Sequence, residues 1–314
     1  MWPIWVKAVF FTRSRKVRPL VEVSHVVAEW AFTQGLKKLR ETSKNSNQSE
    51  IARRIGKSRA TIGHYEMGRY LPSHDSLDIM LDAYGHSDRA PYYRQLRDRV
   101  EMHSPDWWED EFPDHFPPRS LKLLAGFEYS ATELRVFEPL HVPELLQTPA
   151  YAEALLRAGL TGHRADQLTL HLRMLRGRQA VLDRTDAPRL TCVLGESALR
   201  SPVGGPLVLG EQLNALVSQA NRDNVEIRIL PDHSGRPAGA TSGFTELLLP
   251  TEIIQDFSEV VYVSTPVDRI HYESPETLAI FRDLWEQTKQ ATLSPEESTE
   301  VLADLARQLT KDAS

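Results

Sequence analysis

The twenty residues from Asn47 to Glu66, Asn-Gln-Ser-Glu-Ile-Ala-Arg-Arg-Ile-Gly-Lys-Ser-Arg-Ala-Thr-Ile-Gly-His-Tyr-Glu, constrain the fold of this chain more than any other segment. Asn47 is suited to cap a first helix, with Glu50 reaching back to complete a capping box. Ile51 and Ile55, four apart, share that helix's inner face, and Ala52 is small where a second helix would cross. Gly56 falls where the chain must turn sharply, in a left-handed conformation that costs any residue bearing a Cβ. Lys57-Ser58 then leads into a second helix whose Ile62 and Tyr65, three apart, face back toward Ile51 and Ile55. Two short helices joined by a three- or four-residue turn containing glycine form the helix-turn-helix unit.

In that unit the second helix enters the major groove of double-stranded DNA with its N-terminal residues at the base edges. The outward positions here are Arg59, Ala60, Gly63 and His64, with Thr61 beside them. Arg59 suits a two-pronged bond to guanine, Ala60 a thymine methyl, and His64 a base edge one turn on. Gln48 suits a phosphate at the first helix's N-terminus, and Lys57, Ser58 and Arg69 suit further backbone contacts. The competing reading is two plain surface helices with a basic face.

Charge bears on that choice. The formal net charge of -6 points away from so acidic a partner. It is unevenly placed, however: residues 1–71 carry a balance of +9 and residues 72–314 a balance of -15. A basic head on an acidic body is the pattern of a nucleic-acid module fused to something else. Gly56-Lys-Ser58 resembles the end of a phosphate-binding loop, but that motif needs Gly at position 51, which is Ile.

The remainder reads as follows. Residues 1–25 form an N-terminal arm, 26–89 a bundle of small helices, 90–120 an acidic, aromatic, Pro-rich linker, and 121–314 a second domain mixing strand and helix periods. Leu190 to Leu194, Val225 to Ile229, Phe244 to Leu249 and Val260 to Val263 read as strands. Thr148-Pro149, Ser274-Pro275 and Ser294-Pro295 each place a capping hydroxyl before a proline at a helix start, and Ser294 with Glu297 makes a capping box. A helix carrying Leu168, Leu172, Leu175 and Leu182 should hold Arg164, Arg173, Arg176 and Arg178 outside. Trp107 and Trp108 in the linker should dock on the second domain. The single cysteine, Cys192, lies in an apolar run and reads as a buried small hydrophobe, so no internal disulfide is available. No apolar run approaches the ~20 residues of a membrane-spanning helix. The basic cluster Arg13 to Lys16 follows the apolar N-terminal stretch, the wrong order for a signal peptide, so a cytoplasmic protein is expected.

The stretches Asn47-Gln48-Ser-Glu-Ile51-Ala52, Gly56-Lys-Ser58, Ile62-Gly-His-Tyr-Glu66-Met-Gly68 and Leu71-Pro72 resemble the core of XRE-type helix-turn-helix regulators. Others resemble the C-terminal domain of unknown function that accompanies this module in actinobacterial, WhiJ-like regulators. These include Trp107-Trp108, Val142-Pro-Glu-Leu-Leu-Gln-Thr-Pro-Ala-Tyr-Ala152, Leu194-Gly-Glu-Ser-Ala-Leu199, Val203-Gly-Gly205, Ile229-Leu-Pro231 and Leu293-Ser-Pro-Glu-Glu-Ser298. Glu144 stands where that pattern usually has Gly, and residues 1 to about 25 match nothing in it. The resemblance implies a lambda-repressor-like all-α head, an α+β second domain, and a transcription regulator often encoded beside a very small partner protein, sometimes described as an antitoxin.

Within the second domain, the polar segment from Pro231 to Gly243 separates two strands, and His233 and Arg236 with Glu196 would line an effector pocket or a protein-binding edge; the alternative is a solvated hairpin loop. His103, Asp106, Glu109, Asp110 and His115 lack metal-ligand spacing, and no hydrolase or dinucleotide motif occurs, so neither an enzyme nor a cofactor is expected. The expected function is a homodimeric, sequence-specific DNA-binding regulator whose second domain senses a ligand or binds a small protein encoded nearby. The alternative is an antitoxin-like protein that sequesters such a partner and autoregulates its operon.

Overall fold

The computed structural model describes residues 22–43, 47–159, 167–234, 242–265 and 268–312. Nearly all of the expected N-terminal arm, together with Arg164 and Arg236, lies outside the described residues.

The head is helical. Helix α1 (His25–Thr42) starts at Ser24, whose hydroxyl accepts from Val27 N, and its inner face buries Val27, Ala31, Leu36 and Leu39. Helices α2 (Gln48–Arg54), α3 (Arg59–Glu66) and α4 (His74–Tyr84) fold onto it through Ile51, Ile62, Tyr65, Leu77, Met80 and Leu81, and α4 ends on the left-handed Gly85. The segment read as a linker begins as a fifth helix, α5 (Ala90–Glu101), whose Tyr93 and Leu96 belong to the same core. Trp108, Phe112 and Phe116 are buried as well, and the Trp107 ring lies where a side chain on Gly177 would be.

The body is a mixed α/β domain. Its sheet runs β3-β2-β1-β4-β5-β6, formed by β1 (Glu133–Glu138), β2 (Arg189–Gly195), β3 (Val225–Leu230), β4 (Phe244–Leu248), β5 (Glu259–Ser264) and β6 (Arg269–Tyr272). The first three strands are parallel and the last three antiparallel to their neighbours. Four strands coincide with those expected from the sequence; β1 and β6 were not anticipated. Parallel strands need crossovers. Helices α6 (Arg119–Ser130), α7 (Pro149–Gly159), α8 (Leu168–Gln179), α9 (Glu196–Arg200), α10 (Pro206–Ala220), α11 (Pro275–Gln290) and α12 (Pro295–Asp312) complete the domain. Helices α7, α11 and α12 begin at the three expected prolines. The capping box at Ser294 is complete, with Glu297 N donating to Ser294 Oγ (3.2 Å) and Ser294 N to Glu297 Oε2 (2.8 Å).

Strand alternation divides the sheet. One face, with Leu134, Val136, Leu190, Cys192, Ile227, Leu247 and Tyr262, joins the main core; Cys192 is fully buried there, and burial pushes its thiol pKa well up. The other is half covered by α11 through Leu278 and Trp285 against Phe137, Val193, Phe244 and Val261. Glu246 is fully buried on this second face. One of its carboxylate oxygens has no hydrogen bond, and Arg135 reaches the other at 3.4 Å. Burial, reinforced by the Glu259 carboxylate, pushes the Glu246 pKa up to about 7. A raised carboxyl pKa contributes stability that is full below the ordinary carboxylate value and is lost as pH rises through the raised one. Glu138, also raised to about 7, and Asp106, raised to about 6, act in the same window. Folding stability is therefore expected to fall between about pH 5 and pH 8, and Glu246→Gln to remove on the order of 2 kcal/mol of that fall. Denaturant titrations at both pH values measure it; an unchanged pH slope in the variant would contradict the assignment.

Arg178, expected on the solvent side of its helix, is instead buried. Its guanidinium grips Glu128 with two bonds of 2.7 Å and also bonds Glu144, which in turn accepts from Arg269 at 3.1 Å. Hydrophobic spacing put it outside; a fully paired charge overrides that placement. The two arginines hold the Glu144 carboxyl down to about 2. Glu144 is thus the bridge between α8 and β6.

Head and body pack directly on each other. Trp30 of α1 meets Phe127 edge-on (4.8 Å between centroids) and Phe257 (4.4 Å). Tyr93 donates to Asp256 at 2.7 Å, where Arg89 also pairs at 2.9 Å. The Asp106 carboxylate accepts from the first backbone N–H groups of α1, His25 at 3.1 Å and Val26 at 3.0 Å. Instead of assembling a metal site, Asp106 caps a helix that links the two domains.

Candidate nucleic-acid interface

Each end of the two-helix unit is locally determined. Asn47 Oδ1 accepts from Ser49 N at 2.9 Å and starts α2. Glu50 does not close the expected capping box; it pairs along the helix with Arg54 at 3.2 Å. The last turn of α2 closes on Gly56 at φ +65°, and Lys57 N donates to Ala52 O at 2.8 Å. Ser58 then caps α3, its hydroxyl accepting from Thr61 N at 3.3 Å and meeting Thr61 Oγ1 at 3.0 Å. Ile51, Ala52, Ile62 and Tyr65 are buried as the spacing requires, while Ile55 is half-buried.

With that inner face buried, α3 turns Arg59 and Ala60 to solvent, with Thr61, Gly63 and His64 half-exposed behind them. A side chain added at Gly63 would meet nothing within 4 Å, so this flank of the helix is open to close approach. Lys57, Ser58 and Arg69 are exposed around it, as are Arg53 and Arg54. His64 is edge-on to the exposed Tyr70 at 5.6 Å, an aromatic that the sequence reading passed over.

Gln48 is engaged within the protein. Its amide donates to Glu66 Oε2 at 3.0 Å, and Arg59 Nε stands 3.5 Å from its Oε1. Glu66 is itself buried and receives both the Nε and, at 3.0 Å, the Nη2 of Arg40. Arg40 on α1, Gln48 on α2 and Glu66 on α3 thus form one polar lock that sets the two helices against the bundle. Charge-assisted bonds of this kind are the stronger class, and losing one partner strands the other in low dielectric. Glu66→Ala is expected to cost the fold about 2–3 kcal/mol, read by thermal or denaturant unfolding. A change below ~0.5 kcal/mol would show that the lock does not hold the unit.

The pattern of the helix-turn-helix family (HTH_3) matches residues 36–88, and that of a domain of unknown function, DUF5753, matches residues 121–304. The chain belongs to the DUF5753 family. It carries an XRE-type helix-turn-helix domain at its N-terminus, a DNA-binding module, ahead of the DUF5753 domain. No curated protein and no solved structure matches the chain.

Of the residues expected to form a site in the DUF5753 domain, Glu196 and His233 lie beyond the carboxyl ends of β2 and β3, the edge where open parallel sheets bind ligands. Glu196 accepts from Asp232 N at 3.2 Å and pairs with Arg200 at 2.7 Å, while His233 is exposed. Arg236 is outside the described residues. The strands that flank the segment from Pro231 to Gly243 do not form a hairpin, because β2 and β1 lie between β3 and β4 in the sheet. Among the described residues no group of three metal-ligating side chains converges and no helix is long and apolar enough to cross a membrane.

Proposed function

We propose that this protein is a sequence-specific, double-stranded-DNA-binding transcription regulator that acts as a homodimer, with the DUF5753 domain receiving the signal. The observation that carries the reading is the open, basic face of α3, held in position by the Arg40–Gln48–Glu66 lock. In this reading Arg59, Ala60, Thr61 and His64 meet base edges, and Lys57, Ser58 and Arg69 meet phosphates. Gln48 braces α3 and takes a phosphate only by giving up a bond. Because Trp30, Tyr93 and Asp256 join head to body, a shift in the body moves the head, and two heads in a dimer reach two half-sites only at the right separation. The resemblance to WhiJ-like regulators supports a small protein encoded nearby as one source of signal, with antitoxin-like sequestration as the second reading. Pull-down with that product separates the two: the second reading requires a stable complex that forms without DNA.

Footprinting on DNA upstream of the protein's own gene tests the first. Two protected half-sites about one helical turn apart are expected. One isolated half-site would contradict the dimer.

A further inference from the structure

A groove of about 500 Å³ runs between head and body, bounded by α1, the end of α3, the segment before α6 and the first turn of α6. That volume suits a small organic molecule, and junctions between domains are a preferred place for such sites. One wall is apolar: Trp30, Pro117 and Leu123 are buried, and Met67, half exposed, is the residue on which α3 ends. The lining is also cationic, on the same helix that supplies Leu123. Arg119 and the half-buried Lys122 carry the charge, and neither makes an ion pair among the described residues. They stand on the first turn of α6, whose N-cap is Pro118 and which has no side-chain cap, so its backbone N–H groups add to the same positive end. Two acidic residues also line the groove. Asp114 is exposed, and Glu29 is turned against Gly68, where a Cβ would come within 2.3 Å of its carboxylate oxygen. Burial raises the Glu29 pKa, an effect that the nearby Arg119 and His103 oppose.

We propose that this groove is an effector site for an amphipathic organic anion: a carboxylate, sulfonate or phosphate group held by Arg119, Lys122 and the start of α6, and an apolar or aromatic body laid against Trp30, Met67 and Leu123. The inference rests on the regulator reading above and deepens it. An occupant touches Met67 and α6 together, so it acts on the end of the DNA-reading helix and on the body at once. Glu29 against Gly68 already couples α1 to the same point.

The test uses the full chain and 1-anilinonaphthalene-8-sulfonate, whose sulfonate and fused rings match this chemistry. Fluorescence titration without DNA is expected to show saturable binding that salicylate displaces and a cationic aromatic amine does not. Arg119→Ala with Lys122→Ala, surface changes that should leave the fold intact, is expected to weaken binding at least tenfold, and Leu207→Ser, at an exposed apolar residue elsewhere, to leave it unchanged. Binding indifferent to the Arg119 and Lys122 substitutions, or lost equally with Leu207→Ser, overturns the site. In a second arm the probe is expected to change the affinity for upstream DNA severalfold; an unchanged affinity at saturating probe overturns the effector role. If the protein binds upstream DNA neither with nor without the probe, the regulator reading has failed, while the first arm still decides the site.

Discussion

Arg178→Ala is expected to lower folding stability by about 3–5 kcal/mol, because it leaves the Glu128 carboxylate buried without its partner. Glu128 and Arg178 each keep no more than about a twentieth of their side-chain surface exposed, 5% and 4%, so water cannot take over the lost bonds. The pair itself need not be stabilising. Removing two charges from water costs several kcal/mol each, and their attraction only about repays that. Arg178→Met combined with Glu128→Leu is therefore expected to recover most of the loss. Denaturant unfolding of the wild type, the single variant and the double variant forms the measurement. A single variant within ~1 kcal/mol of wild type, or a double variant no better than the single, would contradict the reading of this pair as a buried, mutually dependent unit. Glu144→Gln should matter less, since its side chain remains 41% exposed and water can replace part of what Arg178 and Arg269 supply.

Arg59→Ala is expected to weaken binding to the cognate site by about 10- to 100-fold while leaving binding to unrelated DNA little changed, the mark of a lost base contact of ~1–3 kcal/mol. Lys57→Ala should act differently. A phosphate contact carries no sequence information, so its loss should weaken cognate and unrelated DNA alike and reduce the salt slope by about 1. Gel-shift titrations of both variants on both DNAs separate the roles. Equal losses on the two DNAs for Arg59→Ala would remove it from the base-reading set, although the exposed position of its side chain on α3 would still allow a phosphate contact.

The parts of this molecule that were legible in the sequence are those whose causes are local. The cap at Asn47, the turn at Gly56, the three-residue spacing of Ile62 and Tyr65, and the Ser-Pro and Thr-Pro helix starts each act within one or two turns of chain. Strands β2 to β5 announced themselves by apolar runs or by clean alternation. Strand β1 was missed although Leu134 and Val136 alternate with Glu133 and Arg135 much as the residues of β3 do, and β6 has only four residues with one aliphatic side chain among them. Long-range pairings were invisible because their causes are distant in sequence. Arg178 finds Glu128 fifty positions away, and Arg40 finds Glu66 at twenty-six, so no periodicity within one helix reports either. The connector shows a third case. Its Pro-rich, acidic composition reads as a tether, yet Trp108, Phe112 and Phe116 supply enough apolar surface to be folded into the core, and Asp106 is held by the start of α1. Packing of head on body was accordingly not foreseen, although it is what lets the acidic DUF5753 domain bear on a basic reading head.

The most direct test of the account is the affinity of the intact protein for DNA upstream of its own gene, measured across a salt series beside a scrambled fragment of equal length. Each phosphate neutralised contributes about 0.9 to the slope of log K against log salt. With Lys57 and Arg69 engaged in both heads of a dimer, a slope of roughly -3.6 or steeper is predicted, with the upstream fragment bound at least ~10³-fold more tightly than the scrambled one. A flat salt response, or equal affinity for the two fragments, would contradict the assignment of α3 as a DNA-reading helix.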